Sequence, residues 1–190
     1  MKYWFRLLLL VAAILAFFAV IGSLLPRSYD FATQIEINAA ADKIFPQVNT
    51  IANWQNWTQW NPAEIPGLRV QYSGVESGKG ATQSWTDVRG EGKLWITNSN
   101  TDESIDYEML FANFPTMASQ IKLIENDEGK TTVRWSSRGR LPAGPFYGFF
   151  APFFPTQMRN QYDLSLNNLK ALIETDEKPP PVDEASQQLD

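Results

Sequence analysis

The chain has 190 residues, with 16 Lys+Arg, 21 Asp+Glu, no Cys and no His, a length for one domain and an appendage. Without Cys there is no disulfide framework, thiolate nucleophile, zinc ribbon or iron–sulfur site, and without His no Ser-His-Asp triad or HExxH zinc site. Residues 1–27 carry three basic groups and no acidic one, which leaves 13 basic and 21 acidic residues in the remainder, a poor basis for gripping nucleic acid.

Leu7 to Leu25 is an uncharged run of 19 residues, LLLLVAAILAFFAVIGSLL. As a helix it spans roughly 28 Å, close to the hydrocarbon thickness of a bilayer. Tyr3 and Trp4 stand where an interfacial aromatic belt would be, and Lys2 and Arg6 precede the run, so the N-terminus is expected to stay cytoplasmic. The rest of the chain would then lie on the periplasmic or extracellular side of the cytoplasmic (inner) membrane. The competing reading is a cleaved signal peptide. Its apolar core is usually about 7–15 residues, and Val20/Gly22 is a weak cleavage pair. The expectation is an uncleaved single-pass anchor over residues 1–28. At the other end, residues 176–190 (DEKPPPVDEASQQLD) hold three prolines and almost no apolar side chain, which predicts a disordered acidic tail.

Between them, over 29–175, Phe31–Asn38 alternates as a half-buried strand does. Ala39–Thr50 reads as a short helix with Ile44, Phe45 and Val48 on one side, cut or kinked by Pro46. Trp54, Trp57 and Trp60 recur every third residue, a tight helical or 3₁₀ stretch expected to cap one end of a sheet. The period then changes to two. Strands are predicted over Gly67–Gly74, Gly80–Val88, Gly92–Asn100, Ser104–Phe111, Ala118–Glu125 and Thr131–Leu141, joined by the turn-forming segments GVESGKG, RGEG, NTDE and NDEGK. Short connections imply one antiparallel meander. Pro155–Glu174 is a long helix with Met158, Tyr162, Leu166, Leu169 and Ile173 in one stripe. The class is α+β, a curved seven-stranded antiparallel sheet with one long C-terminal helix, and such a pairing leaves a hollow suited to small apolar ligands.

The element order and local patterns resemble the START-related SRPBCC superfamily, and within it the bacterial polyketide cyclase/dehydrase-type proteins. The similarity rests on Ile35–Ala39 followed by Ile44-Phe45, NWQNWTQWNP at Asn53–Pro62, the Gly78-Lys79-Gly80 turn before a strand with Trp85, GEGKLWIT at Gly90–Thr97, and TTVRWSSRG at Thr131–Gly139. The resemblance implies a helix-grip fold, a sheet wrapped round the C-terminal helix and enclosing a cavity for a hydrophobic ligand. Many members similar to this chain also carry one N-terminal membrane segment. It implies no particular reaction, because the superfamily includes carriers, receptors, cyclases and co-chaperones.

Strand alternation assigns the inward face. The expected cavity lining is Trp85, Leu94, Ile96, Ile105, Tyr107, Met109, Phe111, Ile121, Leu123, Val133 and Trp135 from the sheet, with Met158, Tyr162, Leu166 and Leu169 from the helix; plain core packing is the alternative for each. Gln83, Tyr107, Ser137 and Tyr162 are the polar groups placed to orient a ligand. Trp95, on the side of Lys93 and Thr97, faces outward. Leu141–Phe154 (LPAGPFYGFFAPFF) carries Phe146, Tyr147, Phe149, Phe150, Phe153 and Phe154 among Gly and Pro. It reads as a lid over the cavity, as an apolar patch dipping into the bilayer beside the anchor, or as a loop folded into the core. Asp102, Glu103, Asp106 and Glu108 read as a solvated face, and GVESGKG lacks the glycine spacing of a phosphate loop.

No cofactor, metal or catalytic constellation is implied. The expected function is membrane-anchored binding of a hydrophobic small molecule or lipid. One alternative is a cyclase or dehydratase using Tyr107, Asp87 or Glu91 as acid or base, and another is an envelope interaction protein with a filled core.

Overall fold

The computed structural model describes residues 2–112 and 114–175; the predicted tail at 176–190 lies outside them. An apolar helix, α1 (Lys2–Leu24), leads into β1 (Ser28–Ile37) and α2 (Ala41–Asn49), then a 3₁₀ turn at Ile51–Asn56. A meander follows: β2 (Arg69–Ser73), β3 (Thr82–Asp87), β4 (Gly90–Asn100), β5 (Ser104–Phe111), β6 (Met117–Glu125) and β7 (Thr131–Arg140). The chain continues through a single turn, α3 (Tyr147–Phe150), into α4 (Phe154–Glu174).

The strands form one antiparallel sheet in the order β1-β7-β6-β5-β4-β3-β2. β2 to β7 follow one another as neighbours, and β1, separated from β2 by α2 and the 3₁₀ turn, pairs with β7 as the opposite edge. Within β4 the register shifts between Ile96 and Asn98, a bulge at Thr97, whose hydroxyl donates to the Asp106 carbonyl (3.1 Å). This is the α+β helix-grip architecture expected from the element order.

Pro46 neither ends nor breaks α2, which runs to Asn49 with Pro46 inside it. The proline removes one N–H donor from a helix held mainly by Ile44, Phe45 and Val48, all buried against the sheet. At the start of α2 the Glu125 carboxylate accepts the Ala41 N–H (2.9 Å), supplying the cap that Ala40 lacks.

The placement of α4 decides where space is left. Seven strands at a spacing of about 4.8 Å make a sheet roughly 29 Å across, whereas one helix with its side chains is about 10 Å wide. α4 lies along the β1 edge: Thr33 Oγ1 donates to the Asp163 carboxylate, Lys170 Nζ donates to the Glu36 carbonyl (2.7 Å), and Glu174 accepts the Asn38 N–H (2.7 Å). Phe31 packs between the Tyr29 ring at 6.2 Å and the Tyr162 ring at 5.3 Å. The concave side of β3, β4 and β5 is left for the segment 54–65 to cover.

Phe31 is 2% exposed and joins β1 to α4, so Phe31→Ala is expected to cost about 3–5 kcal/mol, read as a lower urea midpoint with an unchanged slope. A loss under about 1 kcal/mol would show that this edge contact does not hold the helix.

Candidate functional site

A cavity of about 520 Å³ opens between the sheet, α4 and segment 54–65. Its sheet wall is Gln83, Trp85, Leu94, Tyr107, Met109 and Trp135; α4 contributes Met158, Gln161, Tyr162 and Ser165. Trp54, Thr58, Gln59, Trp60, Glu64 and Ile65 close the remaining side, with Arg89 at the rim. Ser165 ties two walls together: its Oγ accepts the Gln59 N–H (3.0 Å) and donates to the Gln161 carbonyl (2.8 Å).

The indoles are placed by backbone acceptors. Trp54 Nε1 donates to the Val48 carbonyl (2.9 Å) and Trp57 Nε1 to the Gln47 carbonyl (3.1 Å), which turns both rings onto the concave face. There Trp54 meets the Tyr107 ring at 5.1 Å and Trp57 meets Trp135 at 5.4 Å, both edge-on. The tryptophan triplet is therefore spread across the concave face, Trp54 over β5, Trp57 over β7 and Trp60 over β3, instead of capping one end of the sheet. Trp60 packs edge-on against Trp85 at 5.4 Å, with the Arg89 guanidinium over its ring at 4.9 Å.

A polar cluster sits at the inner end. Trp135 Nε1 donates to Tyr107 Oη (2.9 Å), Tyr107 Oη and Tyr162 Oη are 3.4 Å apart, Tyr162 Oη pairs with Ser137 Oγ (2.7 Å), and Ser137 Oγ pairs with Ser119 Oγ (2.6 Å). The Tyr162 ring lies flat on Trp135 at 3.8 Å. Burial raises the pKa of Tyr107, and raises that of Tyr162 well above its usual value, with the neighbouring Tyr107 adding to the rise. Both phenols are neutral at physiological pH. Gln83 is buried and makes no side-chain hydrogen bond to another described residue, and the buried Trp60 and Trp85 indole N–H groups likewise have no partner among the described residues.

Of the predicted lining, Trp85, Leu94, Tyr107, Met109, Trp135, Met158 and Tyr162 face the cavity. Ile96, Ile105, Ile121, Leu123, Val133, Leu166 and Leu169 do not; they form the filled core under α2 and α4. Phe111 stands behind Trp85 at 6.4 Å. None of the six aromatics of 146–154 lines the cavity. Tyr147 packs on Phe114 at 6.1 Å, Phe149 on Phe18 of α1 at 6.3 Å, and Phe154 on Tyr29 at 4.7 Å, while Phe146, Phe150 and Phe153 point away from the domain. The lid expectation fails because the chain turns from β7 toward α1, not toward segment 54–65. Sequence reasoning missed the contributions of Trp54, Thr58, Gln59, Trp60, Glu64, Ile65, Arg89, Gln161 and Ser165. The only hint was the density of indoles at Trp54, Trp57 and Trp60, since a run of large rings beside a curved sheet needs a face to pack on.

Asp87 and Glu91 do not line the cavity. Hydrogen bonds from the Arg89 side chain and backbone to Asp87 (2.5–2.9 Å) hold its carboxyl below the usual range. Asp106 sits on the outer face, accepting from Gln120 (2.7 Å) and Asn98 (3.3 Å). Trp95 is also outward, with Lys93 Nζ 5.9 Å from its ring centre. No cluster of metal-ligating side chains occurs among the described residues. A second hollow, of about 530 Å³, lies against the convex face and is lined by Asp30, Asp106, Arg134 and Arg138 among other mostly polar groups.

The sequence profile of the family described as polyketide cyclase / dehydrase and lipid transport matches residues 29–174. The chain belongs to that family. No curated protein matches the sequence. Among solved structures, norcoclaurine synthase from Thalictrum flavum superposes with a TM-score of 0.57 at 13% identity, over 79% of this chain and 96% of that one. The Aha1 protein of Colwellia psychrerythraea, solved as a dimer, gives 0.56 at 17% identity over 77% and 96%. A protein from Chromobacterium violaceum gives 0.55 at 15% identity over 76% and 96%. At these identities the likeness is one of fold.

Gly92 faces Trp85 across the β3–β4 pair, and a Cβ there would overlap the indole ring. Gly92→Ala is expected to push the ring into the cavity at a cost of about 1–3 kcal/mol, and to weaken binding of anilinonaphthalene sulfonate while far-UV circular dichroism is kept. Unchanged dye affinity would show that Trp85 does not bound the binding space.

The tyrosines set an alkaline limit. Tyr29 is pushed up to about 12 by burial, with Tyr162 adding to it, and Tyr107 and Tyr162 are also raised. Below the unfolded phenol value of about 10 both states keep these protons, so their contribution is flat; above it the unfolded chain loses them first and stability falls. Urea midpoints should hold steady to about pH 10 and then decline, less steeply in Tyr162→Phe. A midpoint that rises with pH there would contradict the raised values.

Proposed function

We propose that the chain is a membrane-anchored binder of a hydrophobic small molecule or lipid that carries a hydrogen-bonding oxygen. The observation that supports this most is the chemistry of the 520 Å³ cavity: an indole-rich wall ending in the Tyr107–Tyr162–Ser137 cluster. Apolar burial would supply most of the affinity, at about 25 cal/mol per Å². Tyr107 Oη accepts from Trp135 and stands 3.4 Å from Tyr162 Oη, where either hydroxyl can donate, so a ligand oxygen would compete for a phenol proton the pair now shares; the Gln83 amide offers both a donor and an acceptor. The Trp60 and Trp85 N–H groups, without a partner among the described residues, add donors in the apolar wall.

α1 supports the anchor: Tyr3–Leu24 is an apolar helix of 22 residues, only 6% buried, and spans roughly 33 Å. On this reading the N-terminus is cytoplasmic and the helix-grip domain lies on the far side of the cytoplasmic membrane.

The cyclase/dehydratase alternative has the phenols as its only buried acid–base groups at the cavity. Their raised pKa suits hydrogen-bond donation to a carbonyl and opposes a role as base.

Mass spectrometry of small molecules that copurify with the detergent-extracted full chain tests the binding reading. A hydrophobic compound should accompany the parent and be lost from Met158→Trp, where the added indole fills the cavity from α4. No compound with the parent, or equal recovery from both, would contradict cavity binding.

A further inference from the structure

Strand direction divides the domain into two ends. The connections β3–β4 (Val88, Arg89), β5–β6 and β7–α4 gather where α1 departs, and the turns after β1, β2, β4 and β6 gather at the other. The departure point is firmly built. Leu141 N donates to the Arg27 carbonyl (2.8 Å) and Arg27 Nη1 to the Pro142 carbonyl (3.1 Å). Gly22 and Gly148 lie so close that a Cβ on Gly22 would overlap the Pro145 carbonyl, and one on Gly148 the backbone of Gly22. The last turn of α1 is thereby seated against α3.

Beside it, Phe146, Phe150 and Phe153 are 73%, 63% and 69% exposed. Their spacing of four and three puts them on one side of the helical segment, while Gly148 and Ala151 on the other side are buried. Both faces are therefore apolar, and one is bare. Val88, at the tip of the β3–β4 turn on the same end, is 91% exposed. Charge is graded along the same axis. Arg27, Arg69, Arg89 and Arg140 lie at this end against Glu64, Asp87 and Glu91, whereas the opposite turns carry Glu76, Asp102, Glu103, Asp127 and Glu128 against Lys79 and Lys130.

We propose that Phe146, Phe150 and Phe153 are a second membrane contact, seated in the interfacial layer of the same phospholipid bilayer that α1 crosses. The inference rests on reading α1 as a membrane span. The stripe is level with Gly22–Leu25, where a spanning helix leaves the hydrocarbon, so the phenylalanines meet lipid at headgroup depth. Arginines at that end face anionic headgroups, and the acidic turns point away. The arrangement also turns the cavity toward lipid. Trp85, Arg89, Met109 and Met158 come from the membrane-side ends of β3, β5 and α4 and from the β3–β4 turn. A run of ring contacts, Trp85–Phe111–Phe114–Tyr147, each within 6.4 Å, joins the cavity wall to the stripe. The ligand class on this view is one that partitions into the bilayer.

The chain has no Cys, so single spin labels can be placed in the full-length protein reconstituted in phosphatidylcholine–phosphatidylglycerol vesicles. Labels at Phe146→Cys and Phe150→Cys, both exposed positions, are expected to lose accessibility to an aqueous nickel chelate and gain accessibility to oxygen relative to Asp127→Cys at the far end. Leu15→Cys in mid-helix reports the anchor separately. A lipid-buried Leu15 label with Phe146 and Phe150 labels as water-accessible as the Asp127 label would overturn this contact and leave the anchor standing. A water-accessible Leu15 label would overturn the membrane reading, and this inference with it.

Discussion

The stacking of Tyr162 on Trp135 is the contact from which the rest of the architecture follows. At 3.8 Å between ring centres, and with the Tyr162 hydroxyl paired to Ser137, it fixes α4 over the β1–β7 side of the sheet. A helix held there cannot also reach β3 and β4. The uncovered strands must be roofed by something else, and segment 54–65 does so with indoles, whose rigid rings span a gap without filling it. The hollow is thus a consequence of helix placement and of rings propped on Val48 and Gln47 carbonyls.

That origin explains the chemistry of the space. Its walls alternate aromatic rings with Ile65, Leu94, Met109 and Met158, and the paired phenols of Tyr107 and Tyr162 lie where the helix touches the sheet. Burial keeps the phenols protonated, so the cluster presents donors and shared hydroxyls, the complement of the oxygen-bearing ligand proposed above. Carboxylates stay at the rim or on the outer face, where solvent stabilises their charge.

Much of this was legible in the residues. Period-two alternation located the six strands of the meander to within two residues at every end, and the stripe through Tyr162, Leu166 and Leu169 located α4. Face assignment told inward from outward, as Trp95 beside Lys93 illustrates. It could not tell lining from core: Ile105 and Tyr107 share a face, yet only Tyr107 meets the cavity, because α2 covers one and segment 54–65 bounds the other. Which part of a concave face is covered depends on long-range packing, which no local period encodes. The Phe-rich segment failed for a related reason. Its aromatic content suggested a lid, but its direction is set by the Gly22–Gly148 approach, a contact between residues 126 positions apart in the chain.

The central claim is that the space between sheet and helix admits an apolar guest. The four methionines provide direct reporters: Met109 and Met158 line the cavity, while Met117 is buried at the start of β6 outside it. In a ¹³C-methyl spectrum titrated with a long-chain alkylphenol, the account predicts saturable shifts at Met109 and Met158 and a stationary Met117 signal. Stationary signals at Met109 and Met158 under saturating alkylphenol, or shifts of equal size at all three, would contradict it.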